Sequence, residues 1–306
     1  SAVPCWPIDT TYYVDDTATE ADLAWLAYYL DSLGLTGMNR AAAIPGLNRE
    51  DVYRLPILLP PLAEQRRIAG ILDAADALRA KRRESIALLD TLTQSIFLDM
   101  FGDPVTNPLG WPMVTVGSVA ERVQIGPFGS LLHRADYVAG GTPLVNPTHI
   151  SGGSIVTDSD LTVCLEKAQE LENYAMKPGD VVLGRRGEMG RCAVVTETET
   201  GFLCGTGSLF IRCDSDRLLP EYLQQVLSHP LMKAEIEKVA LGITMKNLNQ
   251  AVVEGLQIPC PPMPVQRTFV AAMVTTRSTC QTVGDSLLEL EGLFASLQAR
   301  AFRGEL

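Results

Sequence analysis

Side chains capable of covalent chemistry are present in this sequence, but not at the spacings such chemistry needs. Three histidines, His133, His149 and His229, share no metal-ligand spacing. The seven cysteines form no Cys-x-x-Cys pair, so neither a zinc site nor a disulfide framework is expected, and buried free thiols in a reducing cytoplasm are. None of the six lysines has an acidic residue two positions before it, as a common metal-dependent nuclease would require. Adenine methylation by this chain would need a cofactor-binding glycine loop and an Asn/Asp-Pro-Pro-aromatic run. Asn107-Pro108-Leu109 and Asn146-Pro147-Thr148 both lack the second proline. The glycine-rich stretch 184–190 lacks the Gly-Lys-Ser/Thr of a phosphate loop. What remains is recognition chemistry: short groups of Arg, Lys, Asn, Ser, Thr and His beside glycines, suited to hydrogen bonding from turns. No catalytic residue is expected.

The elements that must position those groups follow from an internal repeat. Residues 55–68 and 256–269 share six of 14 positions at an offset of 201, including both Pro-Pro pairs and the following Gln-Arg. The same offset matches Leu47-Asn48 with Leu248-Asn249, Val52 with Val253, Leu89 with Leu290 and Phe101 with Phe302. Proline fits the opening turn of a helix and not its interior, so each pair marks a helix start. Ile68, Leu72, Ala75, Arg79, Arg82, Ile86, Leu89, Thr93, Ile96 and Met100 then alternate four-and-three spacings. Phe269, Met273, Thr276, Cys280, Val283, Leu287, Leu290, Phe294, Leu297 and Ala301 repeat them in the same register. The spacing predicts two heptad seams, imperfect in the middle of the first, packed on each other and antiparallel. About 40 residues at ~1.5 Å each make rods of about 60 Å.

Residues 103–260 have another texture, with turn residues such as Lys177-Pro178-Gly179-Asp180 and β-branched runs at 181–183, 192–195 and 209–211. A helix is expected from Pro220 to Val239, with Tyr222, Leu223, Val226 and Leu227 on one face. Residues 1–60 parallel only the last portion of that region: Thr11-Tyr12-Tyr13-Val14 corresponds to Ser208-Leu209-Phe210-Ile211, and 21–33 to 220–239. A hydrophobic content of 46% supports real cores, no apolar run reaches a membrane span, and no signal peptide is expected. The net charge of −11 argues against strong nucleic-acid binding by the chain alone. Residues 103–260 carry 12 basic and 18 acidic side chains, whereas 61–102 (6 and 6) and 261–306 (4 and 4) are neutral.

The order of half-domain, Pro-Pro helix, full domain and Pro-Pro helix resembles the specificity subunit of type I restriction-modification systems. The residues that carry the likeness are Leu59-Pro60-Pro61-Leu62-Ala63-Glu64-Gln65-Arg66-Arg67-Ile68, the helix end 95–104 and the stretch 297–306. Gly179-Asp180-Val181-Val182-Leu183 leading to Arg185-Arg186-Gly187-Glu188-Met189-Gly190-Arg191 also looks like a recurrent strand-turn-strand of that family. The resemblance implies an α+β fold, with mixed α/β target recognition domains joined by two long helices packed as an antiparallel coiled coil. On that pattern 1–60 is the C-terminal part of a first recognition domain, 61–102 the first helix, 103–260 a complete second domain and 261–306 the second helix. The resemblance further implies a non-catalytic subunit in the cytoplasm that reads a bipartite site on double-stranded DNA. It would assemble with two modification (methyltransferase) subunits, which hold S-adenosylmethionine, and in the restriction form with motor-nuclease subunits. The other class open to the sequence is a cytoplasmic coiled-coil scaffold whose globular domain binds protein.

Arg and Lys read guanine, Asn and Gln read adenine, and Ser and Thr adapt to either. Candidates for DNA contact are Ser130, His133 and Arg134, against a solvated loop, and Asn146, Thr148 and His149, against a turn closure. Arg185 and Arg186 are adjacent, so both cannot face a core; at least one is expected at the surface, the other reading being a structural ion pair. Thr206 and Ser208 flank Gly207, and Thr244, Lys246 and Asn247 precede the shared Leu-Asn. Asn48 and Asn249 recur in both copies and read as a common structural turn. The run Arg79, Lys81, Arg82, Arg83 reads as a solvated helix face, or as a contact for a modification subunit or the DNA between half-sites.

Overall fold

The computed structural model describes residues 13–35, 47–187, 189–241 and 247–306. They divide into two compact units: residues up to 90 together with 278–306, and residues 91–277. Helix α3 (Leu62–Phe101) and helix α8 (Met263–Phe302), each of 40 residues, contribute to both. Both begin directly after a Pro-Pro pair, and the second proline's carbonyl accepts the first helical N–H bonds, from Glu64 and Gln65 and from Val265 and Gln266.

The first unit holds α1 (Leu23–Ser32), α2 (Arg49–Tyr53), the first part of α3 and the last part of α8. The two long helices run in opposite directions here. Arg67 donates to the Leu306 carbonyl, the Arg79 guanidinium lies 4.2 Å over the Phe294 ring, and Arg83 pairs with Glu291 at 2.9 Å. The partner number falls as the α3 number rises. Ile68, Ala69, Leu72 and Ala75 bury their apolar stripe with Phe294, Ala301 and the α1 residues Trp25, Leu26 and Tyr29. The basic run is thus split: Arg79 and Arg83 engage α8, while Lys81 and Arg82 are exposed. Arg82 is the one member of the first seam left exposed.

The second unit repeats that arrangement and adds a β region. Helix α5 (Pro220–Ser228) stands where α1 stands in the first unit. Tyr222 meets Phe101 edge-on at 4.8 Å, as Trp25 meets Phe302 at 6.0 Å. Phe97 and Phe101, at the end of α3, both pack on Phe269 at the start of α8, so the helices are again antiparallel. Asn48 caps α2 by accepting from the N–H of Glu50, and Asn249 caps α7 (Gln250–Glu254) by accepting from that of Val252. The recurring asparagine is a helix cap in both copies.

Strand β1 (Met113–Thr115) follows α3. Then come β2 (Ala120–Ile125), β3 (Tyr137–Val138), β4 (Thr142–Val145), the hairpin β5 (Ile150–Ser151) and β6 (Ser154–Ile155), β7 (Thr162–Val163) and helix α4 (Leu165–Glu170). After these come β8 (Asp180–Gly184), β9 (Cys192–Val194), β10 (Leu203–Cys204) and β11 (Ser208–Cys213), and past the helices β12 (Gln257–Pro259). One four-stranded sheet is antiparallel in the order β2-β11-β8-β9; the other has the order β10-β4-β7-β3; β1 pairs with β12. Strands β8 and β11 are apolar on both faces, buried between the helix-side core (Val181, Leu183, Leu209, Ile211 with Leu223, Val226) and a second cluster (Val182, Ala193, Phe210, Met176). The buried Asp180 carboxylate accepts from Nε and one Nη of Arg212 at 2.8 and 2.7 Å, locking the far end of the β8–β11 pair.

Two expectations need correcting. The helix expected over 220–239 is two helices, α5 and α6 (Pro230–Leu241), because Pro230 forces the preceding residue, His229, into an extended conformation (ψ 134°). Its four named apolar residues are nonetheless fully buried. Tyr13 and Val14, parallel in sequence to β11, are exposed and outside any strand, and none of the described residues up to 60 forms a counterpart of the β2 and β8 that flank β11; Thr11 and Tyr12 lie outside the described residues.

Candidate nucleic-acid interface

The end of β2, the end of β8 and the start of β11 coincide, because Leu209 pairs with Ile125 and Ser208 with Gly184. The parallel pairing of β10 with β4 brings Cys204 beside Val145 at the same place. Loops leaving these strands therefore converge on one rim. Glycines allow the approach: a Cβ on Gly126 would lie 2.0 Å from the Gly205 carbonyl oxygen, and one on Gly205 would lie 2.4 Å from Asn146 Oδ1.

The sequence candidates divide by what they touch. Arg185 is buried: its Nε donates to the Leu248 carbonyl at 2.9 Å and an Nη to the Thr206 carbonyl at 3.4 Å. Its backbone N–H donates to Gly207 and its carbonyl accepts from Leu248. Burial, with Arg186 alongside, lowers its guanidinium pKa from the ordinary value. Arg185 thus fastens the 247–249 segment to the 205–207 turn through backbone carbonyls, and neither a surface position nor an ion pair describes it. Its neighbour Arg186 is exposed. Asn146 Oδ1 accepts from the Gly207 N–H at 3.3 Å, and its own N–H donates to Nδ1 of the buried His149 at 3.2 Å. His149 and Asn146 close the turn, leaving Thr148 as the exposed member of that trio. Ser208 is fully buried with its hydroxyl unpartnered, Thr206 is half-buried, and Asn247 is half-buried with an unpartnered buried Oδ1. Ser130, His133 and Arg134 are exposed on two short turns after Gly126, where Asp136 accepts from the His133 N–H. Thr244 and Lys246 lie outside the described residues.

Asn146, His149 and Arg185 are thus fixed at the rim, with Thr148 and Arg186 exposed beside them in the chain, while Ser130, His133 and Arg134 are exposed on the loop that leaves β2. Sequence reasoning missed Phe128, whose ring is exposed beside Ser130 and could lie against a sugar or base. The Gly-Pro-Phe-Gly run was its signal. Chemically the exposed candidates offer guanidinium, imidazole and hydroxyl groups and no acid–base pair. Among the described residues no group of His, Cys, Asp and Glu could hold a metal, and no helix is long and apolar enough to cross a membrane.

The β region with its rim lies between α3 and α8 in the chain, and these two helices run antiparallel within each unit. The chain belongs to the family described as "Type I restriction modification DNA specificity domain", which it matches over residues 16–88 and 108–290. Among curated relatives it is 21% identical over 277 residues to the type I restriction enzyme EcoBI specificity subunit of Escherichia coli, covering 81% of this chain and 58% of that one. It is 20% identical over 251 residues to the MjaVIII specificity subunit of Methanocaldococcus jannaschii, covering 77% and 58%. The chain thus spans 58% of the length of these relatives. The fold is shared with the HsdS subunit from Thermoanaerobacter tengcongensis (TM-score 0.53, 23% identity, covering 94% and 71%). It is also shared with the S subunit from M. genitalium (TM-score 0.58, 14% identity, covering 92% and 73%).

Proposed function

We propose that this chain is a non-catalytic DNA-sequence-specificity subunit of a type I methyltransferase or restriction complex in the cytoplasm. Residues 103–260 form its complete second recognition domain and read one half of a bipartite site, while 1–60 are the C-terminal part of a first. The long helices, 61–102 and 261–306, hold the reading surfaces at a set separation and dock two modification subunits. Those subunits hold S-adenosylmethionine and methylate adenine, and motor-nuclease subunits join in the restriction form.

One observation carries the reading: exposed Thr148 and Arg186 adjoin turns fixed by the buried polar side chains of Arg185 and His149 and by Asn146, while Ser130, His133 and Arg134 are exposed on the loop leaving β2. Base readout needs that pre-organisation, because loops that must be ordered on binding lose affinity. Thr206 and Asn247 border the rim, and Thr244 and Lys246 remain candidates for DNA contact from the sequence. The acidic excess in 103–260 weakens binding by the isolated chain, so partners must clamp the phosphate backbone. Footprinting of the chain assembled with its modification subunits tests the proposal. Protection of two short tracts around a sequence-indifferent spacer supports it; protein capture without sequence-dependent protection of DNA contradicts it.

A further inference from the structure

The loop leaving β2 is held by a polar arrangement separate from the Arg185 fastening. Leu132 and Tyr137 both pack on the cluster of Leu144, Val163, Leu171 and Leu203, and Tyr137 pairs with Val163 across β3 and β7. Between these anchors His133, Arg134 and Ala135 are exposed, and Asp136 is half-buried. The Asp136 carboxylate reaches back to accept the His133 N–H at 2.6 Å, while the Asp136 N–H donates to the His133 carbonyl at 3.0 Å. This reciprocal closure fixes the backbone from which His133 and Arg134 project.

The same carboxylate oxygen has a second partner. Lys167, on α4, brings its Nζ within 3.9 Å of Asp136 Oδ2 and 2.9 Å of Glu170 Oε2. Its side chain is only 17% exposed, so the ammonium is held against the loop and not extended into solvent. Ala168 and Leu171 keep α4 in place, in the cluster that also anchors Leu132 and Tyr137. Arg134, two residues from Asp136 in the chain, forms no ion pair with any described residue. Were Lys167 absent, the carboxylate would draw that guanidinium, because charge-assisted pairs of this kind are strong at short range. A neutral pair would then meet DNA in place of a cation. In a region with 18 acidic and 12 basic side chains, an uncompensated acid on this loop would also repel phosphate.

We propose that Asp136 and Lys167 are positioning residues of the DNA-reading loop. Lys167 occupies the Asp136 carboxylate, the carboxylate locks the His133 turn, and Arg134 is left as a free cation to meet DNA. Lys167 itself makes no DNA contact, although a lysine beside a recognition loop would ordinarily be read as a phosphate contact. The inference rests on the DNA reading proposed above for Arg134.

The test uses the full chain assembled with its modification subunits, and a duplex carrying the motif that the complex methylates. Arg134→Ala should weaken binding about tenfold, the loss of one charge-assisted contact. Lys167→Met, which keeps an apolar stem of similar length, should weaken it about as much. Adding Asp136→Asn to Lys167→Met should bring affinity back to within about twofold of the unaltered complex. The amide oxygen still accepts the His133 N–H, and no carboxylate remains to draw Arg134. Adding Glu170→Gln instead makes the same change in net charge and should not rescue. In the free chain, NMR should show exchange of the Arg134 Nε–H with water slowed in Lys167→Met and restored by Asp136→Asn. Undiminished binding by Lys167→Met, equal rescue by Glu170→Gln, or unslowed exchange overturns the inference and leaves DNA reading intact. Failure of the unaltered complex to bind DNA by sequence would contradict the proposed function instead, and the exchange measurement, made without DNA, would still decide whether Lys167 keeps Asp136 from Arg134.

Discussion

Gln65 and Gln266 make the same hydrogen bonds at the same turn of their respective helices. Each is buried. Each donates its side-chain N–H to the first proline's carbonyl five residues back, Pro60 at 2.7 Å and Pro261 at 2.8 Å. Each accepts, through Oε1, the backbone N–H of the residue capping the repeat's first helix: Asp22 at 2.8 Å and Leu219 at 2.9 Å. Gln266 also donates to the Arg217 carbonyl. Replacing either with Leu leaves two or three buried backbone groups unpaired and should destabilise the fold by about 1–3 kcal/mol, with Gln266→Leu the costlier. Urea titration followed by circular dichroism measures this; unchanged midpoints would remove the glutamine from the account of the Pro-Pro helix start.

The two adjacent arginines should behave oppositely. Arg186→Ala should leave the urea midpoint unchanged, weaken DNA binding by the assembled complex and reduce its salt slope by about 1 if the contact is to phosphate. Arg185→Ala should lower stability by about 1–3 kcal/mol through the orphaned Leu248 carbonyl and loosen the 205–207 turn. Filter binding at several salt concentrations, with denaturation of the same preparations, separates the two effects.

The division between those arginines shows where the sequence stops being informative. Its periodicity exposed the long helices, because seam residues need only neighbours three and four positions away. The repeat exposed the asparagine caps for the same reason. Which polar residue is buried is decided by backbone from elsewhere: Arg185 by the Leu248 carbonyl, 63 residues on, and Asn146 by the Gly207 N–H, 61 residues on. Nothing in the local pattern of Arg185-Arg186 distinguishes the first from the second. The break at His229 was legible, since a proline inside a proposed helix is a local signal.

Burial should also silence part of the thiol chemistry. Burial pushes Cys192 up to about 11 and Cys213 up to about 12, and it raises Cys204 further still. All three stay protonated and inert at about pH 8 in the native protein, the thiolate being the nucleophile. Mass spectrometry after iodoacetamide treatment should find them unlabelled until denaturant is added, ahead of which the half-buried Cys164 and Cys280 are modified. Rapid labelling of Cys204 would show that the β4–β10 edge opens.

If α3 and α8 act as a ruler, one heptad inserted into each should lengthen the pair by about 10 Å and widen the spacer of the recognised site by about three base pairs. The bases recognised should stay the same. Selection of bound sites from a randomised library reads both quantities at once.

The proposal that residues 103–260 read one half of a bipartite site is tested most directly by replacing them with the corresponding region of another family member. The hybrid, expressed with its modification subunits, is assayed by sequencing the methylated motifs genome-wide. The account predicts a motif in which one half changes while the other half and the spacing persist. A motif unchanged in both halves, or altered in both, contradicts it.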